Sequence, residues 1–337
     1  MFDRFSGKNR HIVAGIKFTP TTTDYIKSTI SLARRSNMSL KFTHIVEPWN
    51  QGPMVYSNTS PTQRLSTLNE ESRLKSAKKR LDEAIKPFLK EYDIETSVHI
   101  GQVAETLKSE ALTSRASLLV CGIKPIAHKF VPKGFTTALE LITSSSIPVL
   151  ALPEEKIYDF AGDKKQEKKL TILVCDDLSP SSHDALPTAA ELAGALKKSE
   201  LLHLHIHKES KENLIKWAEQ VASYTPTLRD LQFDFPIKKE TIVANTEKAI
   251  TDSMSKRLEV SQAILEMQKV DYNRKIAFGD IYEKLQEVIK ETNPDLVVFG
   301  QHHLIHKRPF SIGRIPFYSM LNLELPILVV STLGHLT

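Results

Sequence analysis

An acidic residue and a serine follow one of the apolar runs of the chain. Asp176 ends the run LTILVCD, and the polar stretch after it contains Ser179. In a parallel α/β sheet, ligands bind beyond the carboxyl ends of the strands, where loop amides and helix N-termini collect anions. A carboxylate at this point could accept hydrogen bonds from a ribose or a base. A polar turn with a helix cap explains Asp176 and Ser179 as well, so both interpretations stay open.

A second group of polar residues follows a later apolar run, DLVVFG. It consists of Gly300, His302 and His303 and, nine residues later, Gly313 and Arg314. The imidazoles of His302 and His303 could contact a phosphate or stack on a base. Solvated loop histidines are the alternative, because no nucleophile with a matching acid is visible nearby.

Three histidines alternate along the run LLHLHIH. His203, His205 and His207 could point to one face of a strand, and His-x-His is a spacing that metal ligands use. No partner carboxylate is placed beside them by the sequence, and the intervening residues already account for a strand with one apolar face. We therefore predict no metal, and we include His205 among the candidate cofactor contacts.

No catalytic motif accompanies these residues. The chain has no Gly-x-Ser-x-Gly elbow, no lysine-containing phosphate loop, no His-Glu-x-x-His helix and no kinase signature. A binding function is the better supported hypothesis, and no catalytic residue is assigned. An enzyme that hydrolyses nucleotides or handles adenylyl groups is kept as an alternative.

Short apolar runs alternate with longer amphipathic stretches, which predicts βαβ units and a parallel sheet. The ten predicted strands lie at 11–16, 40–46, 96–100, 117–122, 147–152, 170–176, 201–206, 275–280, 295–300 and 325–330. The first helices are predicted at 24–35, 62–92, 104–114 and 136–144. Five strands with helices between them are enough for one three-layer domain.

The second five strands repeat the first five. Paired glycines at 101 and 279, paired glycines at 122 and 300, and paired prolines at 148 and 326 are all separated by 178 positions. An internal duplication explains this agreement. Aligning the first strands on Lys17 and Asp176 gives an offset of 159, so the second copy would carry 19 additional residues between its second and third strands. They would fall within 208–255.

The duplication predicts two tandem doubly wound α/β domains, at 1–153 and 168–335. Each is expected to hold a five-stranded parallel sheet with helices on both faces. Residues 154–167 form a charged linker that we expect to be exposed to solvent. Within the insertion, helical spacing of apolar residues predicts a helix at 211–224 whose Trp217 face packs on the domain or on a partner.

Composition restricts the class of protein. The chain has 337 residues, of which 41% are hydrophobic and 25% charged, and no apolar run of membrane-spanning length. The N-terminal residues lack a signal-peptide pattern, so we expect a cytoplasmic protein. The net charge of +5 is spread over helices that mix both signs, which argues against a nucleic-acid partner. We expect no membrane partner either.

The second copy contains strand-Asp, strand-His and strand-Gly-Asp, then a Gly-x-x-(Gly)-x9-Gly loop before the last helix and a last strand that starts at a proline. This pattern resembles the universal stress protein family. The resemblance covers nearly the whole chain as a tandem pair. It implies the Rossmann-like fold of adenine nucleotide alpha hydrolases, and it implies ATP binding, since many members bind ATP. In the family, the acid lies by the adenosine and a Gly-x2-Gly-x9-Gly-(Ser/Thr) loop wraps the phosphates.

The second copy matches this pattern in part. Asp176 matches the acid, Gly300 the first glycine and Gly313 the last, but His303 stands at the second glycine and Arg314 at the hydroxyl residue. Arg314 and Lys307 could supply cationic phosphate contacts instead, or the pocket could have lost ATP.

The first copy departs further. It has Lys17 in place of the acid, Gly122 at the first glycine, Pro125 at the second and Gly134 one position early. Proline has no amide hydrogen to donate. ATP, if bound, is therefore expected in the second domain alone.

The resemblance implies a stress-response binding or regulatory module that works with an unidentified protein partner. It also implies that the two domains pair through their last strands, within the chain, and that the protein forms a homodimer. A ligand-free interaction protein is the remaining alternative.

Overall fold

The computed structural model describes residue 5 and residues 10–48, 61–124, 133–162, 168–223, 239–301 and 313–331. The strands are β1 (His11–Gly15), β2 (Ser39–Val46), β3 (Ile94–Ile100), β4 (Leu118–Ile123), β5 (Val149–Pro153), β6 (Leu170–Cys175), β7 (Ser199–His207), β8 (Asp271–Phe278), β9 (Leu296–Gly300) and β10 (Ile327–Val330). Each of the ten predicted strands is present.

The helices lie between the strands, as the alternation predicts. They are α1 (Thr22–Ser36), α2 (Pro61–Ile85), α3 (Val103–Thr113), α4 (Lys133–Ser144), α5 (Ala185–Leu196), α6 (Lys211–Ser223), α7 (Lys239–Gln268), α8 (Ile281–Thr292) and α9 (Arg314–Asn322). The helix predicted at 62–92 is shorter: α2 ends at Ile85, and a 3₁₀ turn at Lys86–Phe88 contains Pro87. Proline cannot donate the backbone hydrogen bond that would continue the α-helix. Within the described ranges, no helix has the length and apolar character to cross a membrane.

The ten strands form one sheet with the order β3-β2-β1-β4-β5-β10-β9-β6-β7-β8. Neighbouring strands are parallel except at the centre, where β5 and β10 are antiparallel and Leu150 pairs with Leu328. These two leucines are 178 positions apart, so this pairing places a local twofold relation between the two halves. The structure therefore confirms two tandem α/β domains that pair through their last strands. The boundaries at 153 and 168 stay predictions.

Helices cover both faces of the sheet because the strands are apolar on both sides. In β1, Ile12 and Ala14 belong to one apolar cluster and Val13 to the other, and all three are fully buried. Alternate residues of a strand point to opposite faces, so a run without polar residues needs cover on both.

The register of the sheet aligns the first strands of the two domains one residue away from the predicted alignment. Ile12 pairs with Leu118, and Ile172 pairs with Leu296. Since Leu118 and Leu296 are 178 positions apart, Ile12 corresponds to Ile172, an offset of 160. The counterpart of Asp176 is therefore Ile16, and the prediction that Lys17 stands in place of the acid is wrong.

The same register corrects the size of the insertion. Leu40 pairs with Ile12 and with Ile94, and Leu201 pairs with Ile172 and with Tyr272. The offset is thus 161 at the second strand and 178 at the third, so the second domain is 17 residues longer between them. The prediction of 19 residues is wrong for two reasons. The first strands were misaligned by one residue, and one further residue of the difference lies between the first and second strands, where the offset changes from 160 to 161.

The segment after β5 is anchored to both domains by buried residues, with exposed residues between them. Tyr158 and Phe160 are buried, and the backbone amide of Tyr158 donates to Ser28 Oγ of α1 at 2.9 Å. The Tyr158 hydroxyl donates to the carbonyl of Glu324, in the second domain, at 2.7 Å. The prediction of a solvent-exposed linker is therefore wrong for Glu154, Tyr158 and Phe160, whereas 155–157 and 159 are exposed.

A helix is present in the insertion, as predicted, but it faces the domain with other residues. On α6, Ala218 is buried and Leu214 packs on a small cluster that includes Met254 of α7, whereas Trp217 is 59% exposed. Trp217 therefore does not pack on the domain, and the alternative that it packs on a partner stays a prediction. The sequence analysis did not predict α7, whose 30 residues pack along α5 and α6.

Candidate functional site

A cavity of about 220 Å³ opens at the carboxyl ends of β6 and β9. From β6 the chain proceeds outward to β7 and β8 and then returns to β9 on the other side of β6. This is the point where the strand order reverses, which is where doubly wound sheets bind ligands. Four predicted site residues line the cavity: Asp176, Gly300, Gly313 and Arg314.

The remainder of the cavity wall is mostly apolar. It includes Leu204, Ile206, Ile281, Leu285, Phe299 and Ile315, together with the side chain of Ser182. An apolar wall with a few convergent polar groups is typical of small-molecule sites.

Asp176 is buried and bound on both carboxylate oxygens. Its Oδ1 accepts hydrogen bonds from the backbone amide of Leu178 at 2.8 Å and from Ser182 Oγ at 2.7 Å. Its Oδ2 lies 3.1 Å from His203 Nε2 and 3.8 Å from Arg257 Nε. The carboxylate therefore fixes the turn that forms one side of the cavity.

The hydrogen bonds determine how Asp176 and its neighbours ionise. Burial favours the neutral acid, but the hydrogen bonds from His203 and Ser182 outweigh it and lower the pKa of Asp176 below its ordinary value. Burial raises the pKa of Tyr272 to about 12. The Tyr272 hydroxyl therefore keeps its proton and is hydrogen-bonded to His203 Nδ1 at 2.9 Å, while His203 Nε2–H donates to the carboxylate. Tyr272, His203 and Asp176 form one hydrogen-bonded chain, which we call the polar triad.

The first domain has an apolar triad in its place. The sheet register makes Ile16, Phe42 and Ile94 the counterparts of Asp176, His203 and Tyr272. All three are buried members of one apolar cluster. The fold therefore forms without the polar triad, and the triad is a property of the second domain.

Two predicted contacts lie beside the cavity and do not line it. The side chain of His205 is on the opposite face of β7 from Leu204 and Ile206, and its Nδ1–H donates to the carbonyl of Asp176 at 2.9 Å. Burial lowers the pKa of His205. Ser179 precedes the 3₁₀ turn Pro180–Ser182 and stabilises the loop through its backbone carbonyl.

Gly313 begins the last helix of the second domain. Its φ of 86° lies in the left-handed region, where a side chain would be strained. The amides of Arg314 and Ile315 fall in the first turn of α9, where helical amides have no partner within the helix. This helix start faces the cavity with its partial positive charge. The predicted residues His302 and His303 lie outside the described residues, as does Pro125 of the first domain.

The sequence analysis did not identify Arg257, which reaches the site from α7. This residue of α7 is 3.8 Å from Asp176 Oδ2, donates to the carbonyl of Ser179, and lies 3.3 Å from His183 Nδ1. Leu178 packs in the same apolar cluster as Met254 of α7. Helix α7 therefore packs against the Asp176 loop. A single arginine within a helix of mixed charge gives no signal of this contact.

Among the residues that the structure describes, no group of three or more His, Cys, Asp or Glu side chains could hold a metal ion. The His-x-His run of β7 is occupied otherwise: His203 binds Asp176 and Tyr272, and His207 packs on the ring of Phe278 with 5.4 Å between centroids.

Comparison with known proteins agrees with the architecture. A universal stress protein from Archaeoglobus fulgidus superposes with a TM-score of 0.57 at 10% identity, covering 95% of this chain and 96% of that protein. A protein of unknown function from Pseudomonas aeruginosa superposes with a TM-score of 0.52 at 13% identity, covering 98% of this chain and 94% of that protein. At these identities the likeness is one of fold.

No curated protein matches the sequence. The model of the Universal stress protein family, by contrast, matches residues 8–153 and residues 170–331, one match for each domain. The chain therefore belongs to the universal stress protein family, as a member with two tandem domains.

Proposed function

We propose that the second domain binds one adenine nucleotide in the cavity between β6 and β9. The observation that carries this proposal is the meeting of Asp176, Gly300, Gly313 and Arg314 around one apolar cavity at the point of strand-order reversal. Family members that bind ATP use an acid and glycines in these places in the chain.

The volume of the cavity suggests which part of a nucleotide would lie inside it. Small-molecule sites usually measure roughly 300–1,000 Å³, so the 220 Å³ observed would hold only part of a nucleotide. The apolar wall suits the base. The phosphates would lie outside it, toward the start of α9. There the amides of the first turn have no partner within the helix, and they and the exposed Arg314 side chain favour an anion.

We further propose that the protein is a cytoplasmic stress-response module whose interaction with a protein partner depends on the bound nucleotide. The Asp176 loop contacts α7 through Arg257 and Leu178, and α7 packs on α6. Occupancy of the cavity could thus change the surface that α6 and α7 present. A homodimer is a further expectation from the family.

Equilibrium binding of ATP to the purified chain tests the nucleotide site. Replacing Arg314 by Ala removes one cationic contact, and we expect affinity to fall about tenfold, as for the loss of one charge-assisted hydrogen bond. Lys17→Ala is the matched control, because Lys17 is an exposed cation at the corresponding end of the first domain. Equal loss in both variants would contradict the proposal.

The same preparations distinguish binding from catalysis. We expect bound ATP to be recovered unchanged after hours of incubation. Turnover of ATP that Asp176→Ala abolishes would favour the hydrolytic alternative. Absence of any bound nucleotide, both after purification and on titration, would favour a ligand-free interaction protein.

A further inference from the structure

Glu154 lies where a ligand would lie in the first domain. It follows β5 directly and is only 9% exposed. Its carboxylate passes over Gly122: a Cβ added at that glycine would be 2.2 Å from Oε1. A side chain at position 122 would clash with the Glu154 carboxylate in its present position.

Hydroxyl groups of the β1–α1 loop hold the other carboxylate oxygen. Oε2 accepts hydrogen bonds from Thr19 Oγ1 and Thr21 Oγ1, each at 3.3 Å. Burial raises the pKa of Cys121 to about 12, and the nearby negative charge of Glu154 contributes to this rise. The carboxylate thus faces the end of β4 and not the solvent.

The position of Glu154 corresponds to the cavity of the second domain. Gly122 is the counterpart of Gly300, which lines that cavity, and Thr19 is the counterpart of Ser179 in the loop after the first strand. In the first domain the strand order reverses between β1 and β4. We call the space between the ends of these two strands the first-domain crevice.

We propose that the first-domain crevice is an oxyanion site occupied by the carboxylate of Glu154, which acts as a ligand tethered to the chain. A carboxylate and a free oxyanion use the same acceptor chemistry toward hydroxyl and amide donors. While Glu154 is in place, an anion entering the crevice meets both a filled volume and a like charge. Removal of the carboxylate opens the crevice to a small oxyanion.

This proposal does not depend on adenine nucleotide binding in the second domain. It concerns donors of the first domain and an oxyanion of any source. The probe can therefore be inorganic phosphate, and the second domain serves as an unchanged background in every variant.

The test compares Glu154→Ala with Glu155→Ala in the full chain. Glu155 is the next residue and is exposed, so its replacement makes the same change in net charge without altering the crevice. Phosphate is titrated at constant ionic strength, and backbone amide shifts of Thr19, Thr21 and Gly122 are followed by NMR. We expect these amides to shift in Glu154→Ala, with an affinity about tenfold or more tighter than in Glu155→Ala.

Unchanged amides in a folded Glu154→Ala chain would overturn the proposal, as would phosphate shifts of equal size in Glu155→Ala. Glu154→Ser keeps a polar group at this buried position and carries the same expectation if the alanine variant fails to fold. Failure of ATP to bind the second domain would leave these outcomes unaffected.

Discussion

Both carboxylate oxygens of Asp176 are bound by the protein before any ligand is present. Leu178, Ser182 and His203 provide the donors, and the side chain is almost completely buried. A residue that sequence analysis identifies as a ligand contact thus also holds the shape of its loop. The first domain fills the same space with Ile16 and Phe42, so the polar triad is not required by the fold.

Exchange of the polar triad for its first-domain counterpart gives a prediction about stability. Asp176→Ile alone leaves the buried His203 N–H without an acceptor, and His203→Phe alone leaves a buried carboxylate oxygen without its donor. Each should lower the free energy of unfolding by about 1–3 kcal/mol. The double variant removes both partners and should cost less than the sum of the single changes.

Urea unfolding of the four chains completes this double-mutant cycle. A coupling of at least about 1 kcal/mol is expected for groups in direct contact. Additive effects within about 0.5 kcal/mol would show that the pair contributes nothing specific.

The pH dependence of stability provides a second prediction at this scale. Burial lowers the pKa of His205 in the folded protein, while the unfolded chain titrates near the ordinary value of about 6.5. As the pH falls from about 7 to 5, the unfolded chain takes up a proton that the folded chain does not, so the free energy of unfolding decreases. His205→Gln should reduce this decrease.

His11 and His44 have pKa values that burial also lowers, so the measurement is the difference between wild type and variant. Chemical unfolding at several pH values gives both slopes. Identical slopes for the two chains would contradict the assignment of a neutral, buried His205.

At the scale of elements, the side chain of Arg35 links the two domains at a place away from the β5–β10 pairing. Arg35, in the last turn of α1, is buried and donates to the carbonyls of Leu196, Lys197, Ala161 and Lys168. Leu196 and Lys197 end α5 of the second domain. Ala161 lies in the segment between the domains, and Lys168 follows that segment. A cation at a helix C-terminus stabilises carbonyls that have no partner within the helix.

Arg35→Ala should therefore destabilise the chain strongly, by about 2–4 kcal/mol, because several buried carbonyls lose a charged donor at once. Arg34→Ala is the control. Arg34 is the neighbouring residue and makes a single exposed ion pair with Glu91, which is worth roughly 0–1 kcal/mol. Thermal or urea unfolding measures both, and equal effects would contradict the role of Arg35.

Sequence reasoning located most elements but not the contacts between distant ones. Alternating apolar runs were enough to predict the strands, and paired glycines and prolines at a constant separation were enough to predict the duplication. The pairing of β5 with β10 was expected only from the resemblance to the family. The alignment of Lys17 with Asp176 failed because apolar strand residues are interchangeable. The shared prolines Pro20 and Pro180, at the correct offset of 160, were the better landmark.

The residues of the candidate site that follow strands could be predicted from the sequence, whereas the contacts that hold them in place could not. Asp176, Gly300 and Gly313 follow strands or begin a helix, so their convergence follows from the sheet. The contacts of Arg257 and Arg35 depend on how helices from distant parts of the chain pack, which no local pattern reports. The closing of the first-domain crevice by Glu154 depends on the path of the chain after β5, and it gave no signal either.

At the scale of the whole molecule, two copies of one fold share a continuous sheet but differ at the two points of strand-order reversal. The second domain has the polar triad and a cavity that the start of α9 lines. The first domain has an apolar triad and the carboxylate of Glu154. The expectation that only the second domain binds a nucleotide is therefore supported by Ile16, Phe42 and Glu154 of the first domain, and not by Lys17.

The stoichiometry of nucleotide binding tests this asymmetry most directly. Calorimetric titration of the full chain with ATP should give one site per chain, and the Asp176→Ile, His203→Phe double variant should lose that site while remaining folded. Two equivalent sites per wild-type chain, or one site that survives in the double variant, would contradict the account.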